Sequence, residues 1–462
     1  MDVARAEDGL AVARLRPGSP PNPSPGEAWF FLACLSLIFV LAIADRLALA
    51  LMVEPIKAEL GLSDVQFGLL VGTAFGAIFA FASLPLSWLA DWWNRRLLLL
   101  LAVLFWSGMT LSSAFVHSFG LLVVGRVGLA VGEAALMPVA ISLIASLFPA
   151  DRRALPTAIF MASAMVGTAM AYVIAGLITT LAGAGAFAGL PLLSGLSGWR
   201  ATLAVLGLVG IVLALTTFAL TREPPRQRRA GPAFRTGDPI DPEIGGAFGS
   251  MRRGVPFFAL FFFGCSATAM LSYGIPAWYP THLIRFFGHD ASAAGRYAGF
   301  VFLVGGIGGS LLVPATVQWL MRRGRRHVLV TIAILLALVG SAASYLAGAV
   351  TDVAGSIAAA IAAIFCVNGI GTLPHLLAVV AAPALFRGRV SATALFLANL
   401  IGFGCGPVLV AWFAEHIFAG PHAIGRALGM LAMFVAPTAL FLMGAARIAY
   451  RRADFSRIYA TN

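Results

Sequence analysis

Hydrophobic residues in this chain gather into long continuous runs, not into the alternation of a half-buried strand or the narrow stripe of a surface helix. Twelve runs are legible, at 29–52, 65–90, 97–116, 119–147, 155–180, 199–220, 255–279, 294–320, 327–349, 354–384, 387–414 and 423–446. At a rise of ~1.5 Å per residue, about 20 residues of helix cross a hydrocarbon core of ~30 Å. The pattern therefore predicts an all-α membrane protein with twelve transmembrane helices. The longest polar stretch, 221–254, is rich in Pro, Gly and Arg and separates two six-helix bundles, 29–220 and 255–446. It reads as a cytoplasmic linker. Residues 1–28 carry acids and a Pro/Ser-rich stretch from Pro17 to Pro25, lack the pattern of a signal peptide, and read as a disordered cytoplasmic N-terminal tail; 447–462 reads as a cytoplasmic C-terminal tail.

Composition agrees with lipid as the solvent: 60% of the 462 residues are hydrophobic, 11% are charged, and mean hydropathy is +0.92. The net charge of +12 would suit a nucleic-acid partner on a soluble face, but here the basic residues sit in short loops between apolar runs, so no nucleic acid is expected. Twenty-four arginines fall in one alternating set of connecting segments, against five basic residues in the other: Lys57, Arg200, Arg285, Arg296 and Arg426. That bias predicts both termini in the cytoplasm; the membrane is expected to be a bacterial inner membrane. The four cysteines, Cys34, Cys265, Cys366 and Cys405, lie in apolar runs without close pairing, which argues against a disulfide framework or a metal site. No phosphate loop or soluble catalytic segment is present, so neither a cofactor nor enzymatic activity is expected.

The halves echo each other. The second run ends in Trp88-Leu89-Ala90-Asp91-Trp92-Trp93-Asn94-Arg95-Arg96 and the eighth in Leu320-Met321-Arg322-Arg323-Gly324-Arg325-Arg326. Leu147-Phe148 with Asp151-Arg152-Arg153 likewise matches Leu385-Phe386 with Arg387-Gly388-Arg389. Duplication predicts substrate held near the membrane midplane between the halves, with access alternating as one rocks against the other.

The stretch from Ser87 to Arg96 resembles the loop between the second and third helices of major facilitator transporters, whose usual form is Gly-x-x-x-Asp-Arg/Lys-x-Gly-Arg-Arg/Lys. Asp91, Arg95 and Arg96 match it; Ser87, Trp92 and Asn94 depart from it. The resemblance implies a gating role for the three matching positions, with Asp91 latching the outward-facing state against the opposite half. Met321 stands at the equivalent place in the second half, which implies asymmetric gating. A narrower resemblance, carried by Ala44-Asp45-Arg46, Glu54-Pro55-Ile56-Lys57, the stretch from Leu62 to Leu70 and the stretch from Arg126 to Ala134, is to the spinster-like branch. That branch includes transporters of sphingosine phosphate and lysophospholipids, and the resemblance implies a monomer.

Four charges fall inside the runs: Asp45 and Arg46 in the first, Arg126 and Glu133 in the fourth. Such groups cost several kcal/mol at membrane depth and require a partner or a function. Arg126 and Glu133 are seven residues apart and share a helix face. Counting ~1.5 Å per residue puts Asp45 and Arg46 roughly 6–8 Å outward of centre, between Glu133 at the centre and Arg126 roughly 10 Å outward. That spacing permits Asp45 to pair with Arg126 and Arg46 with Glu133. Protonation of Glu133 would release Arg46, so Glu133 and Asp45 are candidates for proton coupling, and Arg46 and Arg126 for holding an anionic substrate. The alternative is a static network that only positions two helices.

The second half offers Tyr273, Trp278, Asn368, His375 and Asn399 as polar groups within or at the ends of its runs, each a candidate substrate contact or a hydrogen bond between helices. Charges on one wall and an aromatic, apolar second wall suit an amphiphile. The expected function is a proton-coupled secondary transporter of a small amphiphilic or anionic, lipid-like substrate such as a lysophospholipid or sphingoid-like lipid. Alternatives are a carrier of water-soluble organic anions such as sugar acids, a drug/proton antiporter, and a membrane sensor that does not transport. The stretch from Gly167 to Gly176 lacks the Gly-Pro signature of drug antiporters. Gly402-Phe403-Gly404-Cys405-Gly406-Pro407 would let helices approach closely or bend.

Overall fold

The computed structural model describes residues 23–190, 192–225, 242–325, 328–382 and 386–452. Among these there is no strand, and twelve helices are long and apolar enough to cross a membrane. In chain order they are α1 (Pro25–Leu51), α2 (Asp64–Trp92), α3 (Arg95–Ser113), α4 (Phe119–Leu147), α5 (Ala154–Gly183), α6 (Gly198–Leu220), α7 (Gly254–Arg285), α8 (Ala291–Arg322), α9 (Val328–Ala349), α10 (Val353–Ala381), α11 (Arg387–His416) and α12 (Ala423–Tyr450). Each matches one of the runs read from the sequence. Odd-numbered helices start on one face, which carries Arg95, Arg96, Arg152, Arg153, Arg387 and Arg389 and is called here the arginine-rich face.

Boundaries differ where capping chemistry, invisible to hydropathy, sets the end. Ser24 accepts from the backbone N–H of Glu27, whose carboxylate accepts from the N–H of Ser24, so α1 starts at Pro25, inside the stretch read as tail. Ser63 and Gln66 form the same reciprocal cap at the start of α2. The helix that becomes α7 begins at Pro242, within the stretch read as linker, and the helix of α12 continues to Arg452. Residues 1–22, 226–241 and 453–462, which hold the rest of the expected tails and linker, lie outside the described residues.

Among the described residues four of these helices are interrupted, α2 at Gly72 between Val71 and Thr73 and three others beside the central residues. α1 tightens into a 3-10 turn at Ala48–Leu51. α4 breaks directly after Glu133 and resumes at Leu136. Pro138 explains the break, because it has no N–H to donate and its ring crowds the carbonyl four residues back, that of Ala134. In α11 a π-helical segment, Ala398–Phe403, precedes Pro407, which crowds Phe403 in the same way. Proline thus places irregular backbone beside the residues that the sequence singled out.

The halves meet through α5 against α8 and α2 against α11. Small residues let these backbones close: a Cβ on Gly295 of α8 would lie 2.5 Å from the carbonyl oxygen of Tyr172 in α5. Gly406 of α11 serves the second bundle alike, since a Cβ there would lie 2.3 Å from the carbonyl oxygen of Met270 in α7. The glycine-rich stretch of α11 therefore provides the close approach expected of it, next to the π-helical segment. Between the halves, Thr73 donates to the carbonyl of Gly404 at 2.6 Å and Tyr172 to that of Pro276 at 2.8 Å, while inside the second half Trp278 donates to that of Pro407 at 2.8 Å.

Candidate functional site

The centre of the molecule is built on Arg46 and Glu133. The Nη2 and Nε atoms of Arg46 donate to one carboxylate oxygen of Glu133 at 2.6 and 3.2 Å, joining α1 to the end of the first segment of α4. Glu133 is 2% exposed, and its other oxygen is buried without a hydrogen-bond partner. Arg46 is the more open of the two and faces a cavity of about 220 Å³ between the halves, with Met165, Ser272, Tyr273, Asn368 and Phe403 also in its wall. The guanidinium carbon stands 4.6 Å from the ring centre of Phe75, 4.9 Å from Phe79 and 5.8 Å from Phe403. Two of these rings belong to α2 and one to α11, so aromatic faces from both halves stabilise the cation without neutralising it. Phe403 stacks on Tyr273 at 4.5 Å, and the hydroxyl of Tyr273 donates to Asn399 at 3.1 Å. A continuous chain of contacts thus leads from Glu133 through Arg46 to α7 and α11.

The other two buried charges are arranged differently from the pairing read in the sequence. Arg126 donates to the backbone carbonyls of Asp45 and Arg46, at 3.2 and 3.1 Å, and not to the Asp45 carboxylate. The 3-10 turn that follows leaves carbonyls at the end of the regular part of α1 in need of donors, and Arg126 supplies them. Asp45 is fully buried, near Thr110 and Arg126, and neither of its carboxylate oxygens has a hydrogen-bond partner. Arg126 is 4% exposed. Trp278 is likewise buried, its ring packed against Phe67 at 5.9 Å. His375 and Asn368 line a separate cavity inside the second bundle, and Asn399 faces a wide vestibule.

This vestibule, of about 990 Å³, runs toward the arginine-rich face between Phe79, Met137 and Ile141 of the first half and Leu395, Phe396 and Asn399 of the second. Asp91, Arg95 and Arg153 line it at the loops, opposite Gly388.

The family model of the Major Facilitator Superfamily matches residues 34–407. The chain belongs to this superfamily. Among its relatives, an MFS-type efflux pump of Mycolicibacterium smegmatis is 29% identical over 437 residues, covering 93% of this chain and 94% of that protein. Human protein spinster homolog 1 is 30% identical over 266 residues, 57% of this chain, and the match spans about half (47%) of the human protein's length. The fold matches a crystal structure of a bacterial homolog to the human lysosomal transporter Spinster, in inward-facing and unoccupied conformation. That match has a TM-score of 0.79 and 24% identity, and covers 93% of this chain and 98% of that one. The spinster-like resemblance read from the sequence is therefore present, and the chain is a transporter of this superfamily and an integral membrane protein.

Within this superfamily member, the matched loop residues divide. Arg95, 2% exposed, donates to Glu223 at 2.9 Å, to Ser146 at 2.6 Å and to the carbonyl of Pro224 at 2.8 Å; Arg96 donates to the carbonyl of Phe218 and lies over its ring. Both arginines hold elements of the first half to each other, whereas Asp91 faces the vestibule.

On the opposite face the two halves are joined by charges the sequence reading left unassigned. Arg285, at the end of α7, donates to Glu54 at 2.6 Å and to both oxygens of Asp64 at 2.8 Å, and Asp64 also accepts from Lys57. The backbone N–H of Val65 donates to Glu415 of α11 at 2.9 Å. The available signal was the scarcity of charge there: few basic residues occupy that face, and Arg285, which ends the first helix of the second half, is one of them.

Proposed function

We propose that this chain is a proton-coupled secondary transporter of a small anionic, amphiphilic substrate, working by alternating access in the bacterial inner membrane with its termini in the cytoplasm. The observation that carries the reading is the Arg46–Glu133 pair, a cation facing the central cavity and backed by a carboxylate hidden from it. An anion entering from the vestibule competes with Glu133 for Arg46. Once Arg46 turns to the anion, the buried carboxylate loses its counter-charge and takes up a proton, because an ionised acid without a partner is expensive in that setting. Substrate and proton thereby become linked. The surrounding aromatic rings and the apolar vestibule favour a substrate with a hydrocarbon part. The vestibule reaches the arginine-rich loops, so this state is open to the cytoplasm. Asp91 then latches that side against the second half when the molecule turns outward, while Arg285 with Asp64 latches the other.

Reconstituted protein tests the coupling. Glu133→Gln is expected to abolish transport driven by a pH gradient while leaving substrate exchange at equal pH on both sides; loss of both activities would reduce the pair to a structural role. Arg46→Ala is expected to remove the thermal stabilisation of the purified protein by single-chain anionic lipids. Stabilisation by sugar acids alone would replace the amphiphile with a water-soluble organic anion.

A further inference from the structure

Beside the central cavity, and sharing Ser272, Tyr273 and Asn368 with it, lies a second cavity of about 250 Å³ whose wall comes entirely from α7, α8, α10 and α11. At ~30 Å³ per water it would hold roughly eight molecules. Its wall is unusual for the interior of an apolar bundle. Thr268 and Thr372 donate to carbonyls of their own helices, at 2.7 Å each, which is the ordinary fate of a hydroxyl on a membrane helix. Ser272, Ser310, Asn368 and His375 have no such explanation, because among the described residues none has a protein hydrogen-bond partner. They stand on three helices, so no local sequence feature accounts for their convergence. No Asp, Glu, Lys or Arg side chain lines this cavity.

We propose that this cavity is a subsite for an uncharged, multiply hydroxylated group, carried by a substrate whose anionic group lies at Arg46. It rests on the anion site at Arg46 and adds the second end of the ligand. A hydrocarbon tail here would strand four hydrogen-bonding groups, each bearing the full penalty of desolvation. A charged group would enter without a counter-ion. A polyol offers both donors and acceptors, as the amide of Asn368, the hydroxyls of Ser272 and Ser310 and the ring of His375 require. Tyr273 and Asn368, which border both cavities, would contact the joint between anion and polyol. A hydrocarbon chain, where the substrate has one, is left to the vestibule. The same chemistry occurs in a sugar acid and in a lysolipid with a glycerol or inositol headgroup.

Binding to the purified full chain, measured calorimetrically with two matched pairs of probes, tests the subsite: gluconate against hexanoate, and lysophosphatidylglycerol against lysophosphatidic acid of the same chain length. In at least one pair the polyol member is expected to bind about tenfold more tightly. Ser310→Ala, at a position that lines this cavity and not the central one, should cut that preference to about threefold or less with the affinity of the other member unchanged, and Asn368→Leu should lower the preference in the same direction. The pair that shows the preference identifies the source of the polyol. Equal affinities within both pairs, or a preference that survives both substitutions, overturn the subsite while binding that still depends on Arg46 leaves the anion site standing. Binding that is indifferent to Arg46→Ala, or absent for all four probes, overturns the anion site and this inference with it.

Discussion

Arg285 holds Asp64 through two parallel N–H···O contacts of 2.8 Å, one to each carboxylate oxygen, and so ties the end of α7 in the second half to the start of α2 in the first. Two-pronged pairs of this kind are stronger and more directional than single contacts, and this one is reinforced by Glu54 and Lys57. The two side chains are 20% and 11% exposed, so removing the pair should be worth at least the ~1 kcal/mol of a surface pair, about fivefold or more in an equilibrium constant. Arg285→Ala is therefore expected to raise the population open on the arginine-poor face, read as faster thiol labelling of cysteines introduced there; Asp91→Asn should move labelling the opposite way. Labelling rates unchanged in both variants would remove these residues from the gates.

The buried pair at the centre makes a prediction about stability. Taking away one partner of a buried ion pair costs about 3–5 kcal/mol, since it leaves the other charge uncompensated. Arg46→Ala should lower the thermal midpoint clearly, and adding Glu133→Gln should recover most of the loss. If the double variant is no more stable than Arg46→Ala alone, the Glu133 charge is not what Arg46 offsets.

Outside the membrane, Glu59 gives a pH signature. Burial pushes its carboxyl up, but hydrogen bonds from Trp199, Arg200 and Ser197 and the charge of Arg200 outweigh this and hold it below its ordinary value of 4.5. A group lowered by folding adds stability above its unfolded pKa and loses it as pH falls through the folded one. Glu59→Gln should thus lower the thermal midpoint by about 2 °C at neutral pH, and the gap should close below pH ~4. A gap that is constant across pH would mean that the ionised form makes no special contribution.

Hydropathy and charge placement were sufficient for the twelve helices, because a chain in lipid must satisfy its backbone within helices and declare each span as an apolar run. They were also sufficient to single out Asp45, Arg46, Arg126 and Glu133, since ionisable groups are rare at that depth. Helix rise permitted two pairings, Arg46 with Glu133 and Asp45 with Arg126, and the structure holds the first and not the second. Rise fixes depth, but whether Arg126 meets a carboxylate or a carbonyl depends on the 3-10 turn at Ala48–Leu51, a departure from regular helix that periodicity does not encode.

The sequence by itself determined which segments cross the membrane and which charges they carry, because both are set by local composition. Only the tertiary structure decided that Arg285 meets Asp64, 221 residues away. The same holds for the polar groups of α7, α8 and α10 that converge on one cavity and for the vestibule on the arginine-rich face. Those features depend on how twelve helices rotate and tilt against one another, and that is governed by the fit of small residues such as Gly295 and Gly406 against a partner's backbone.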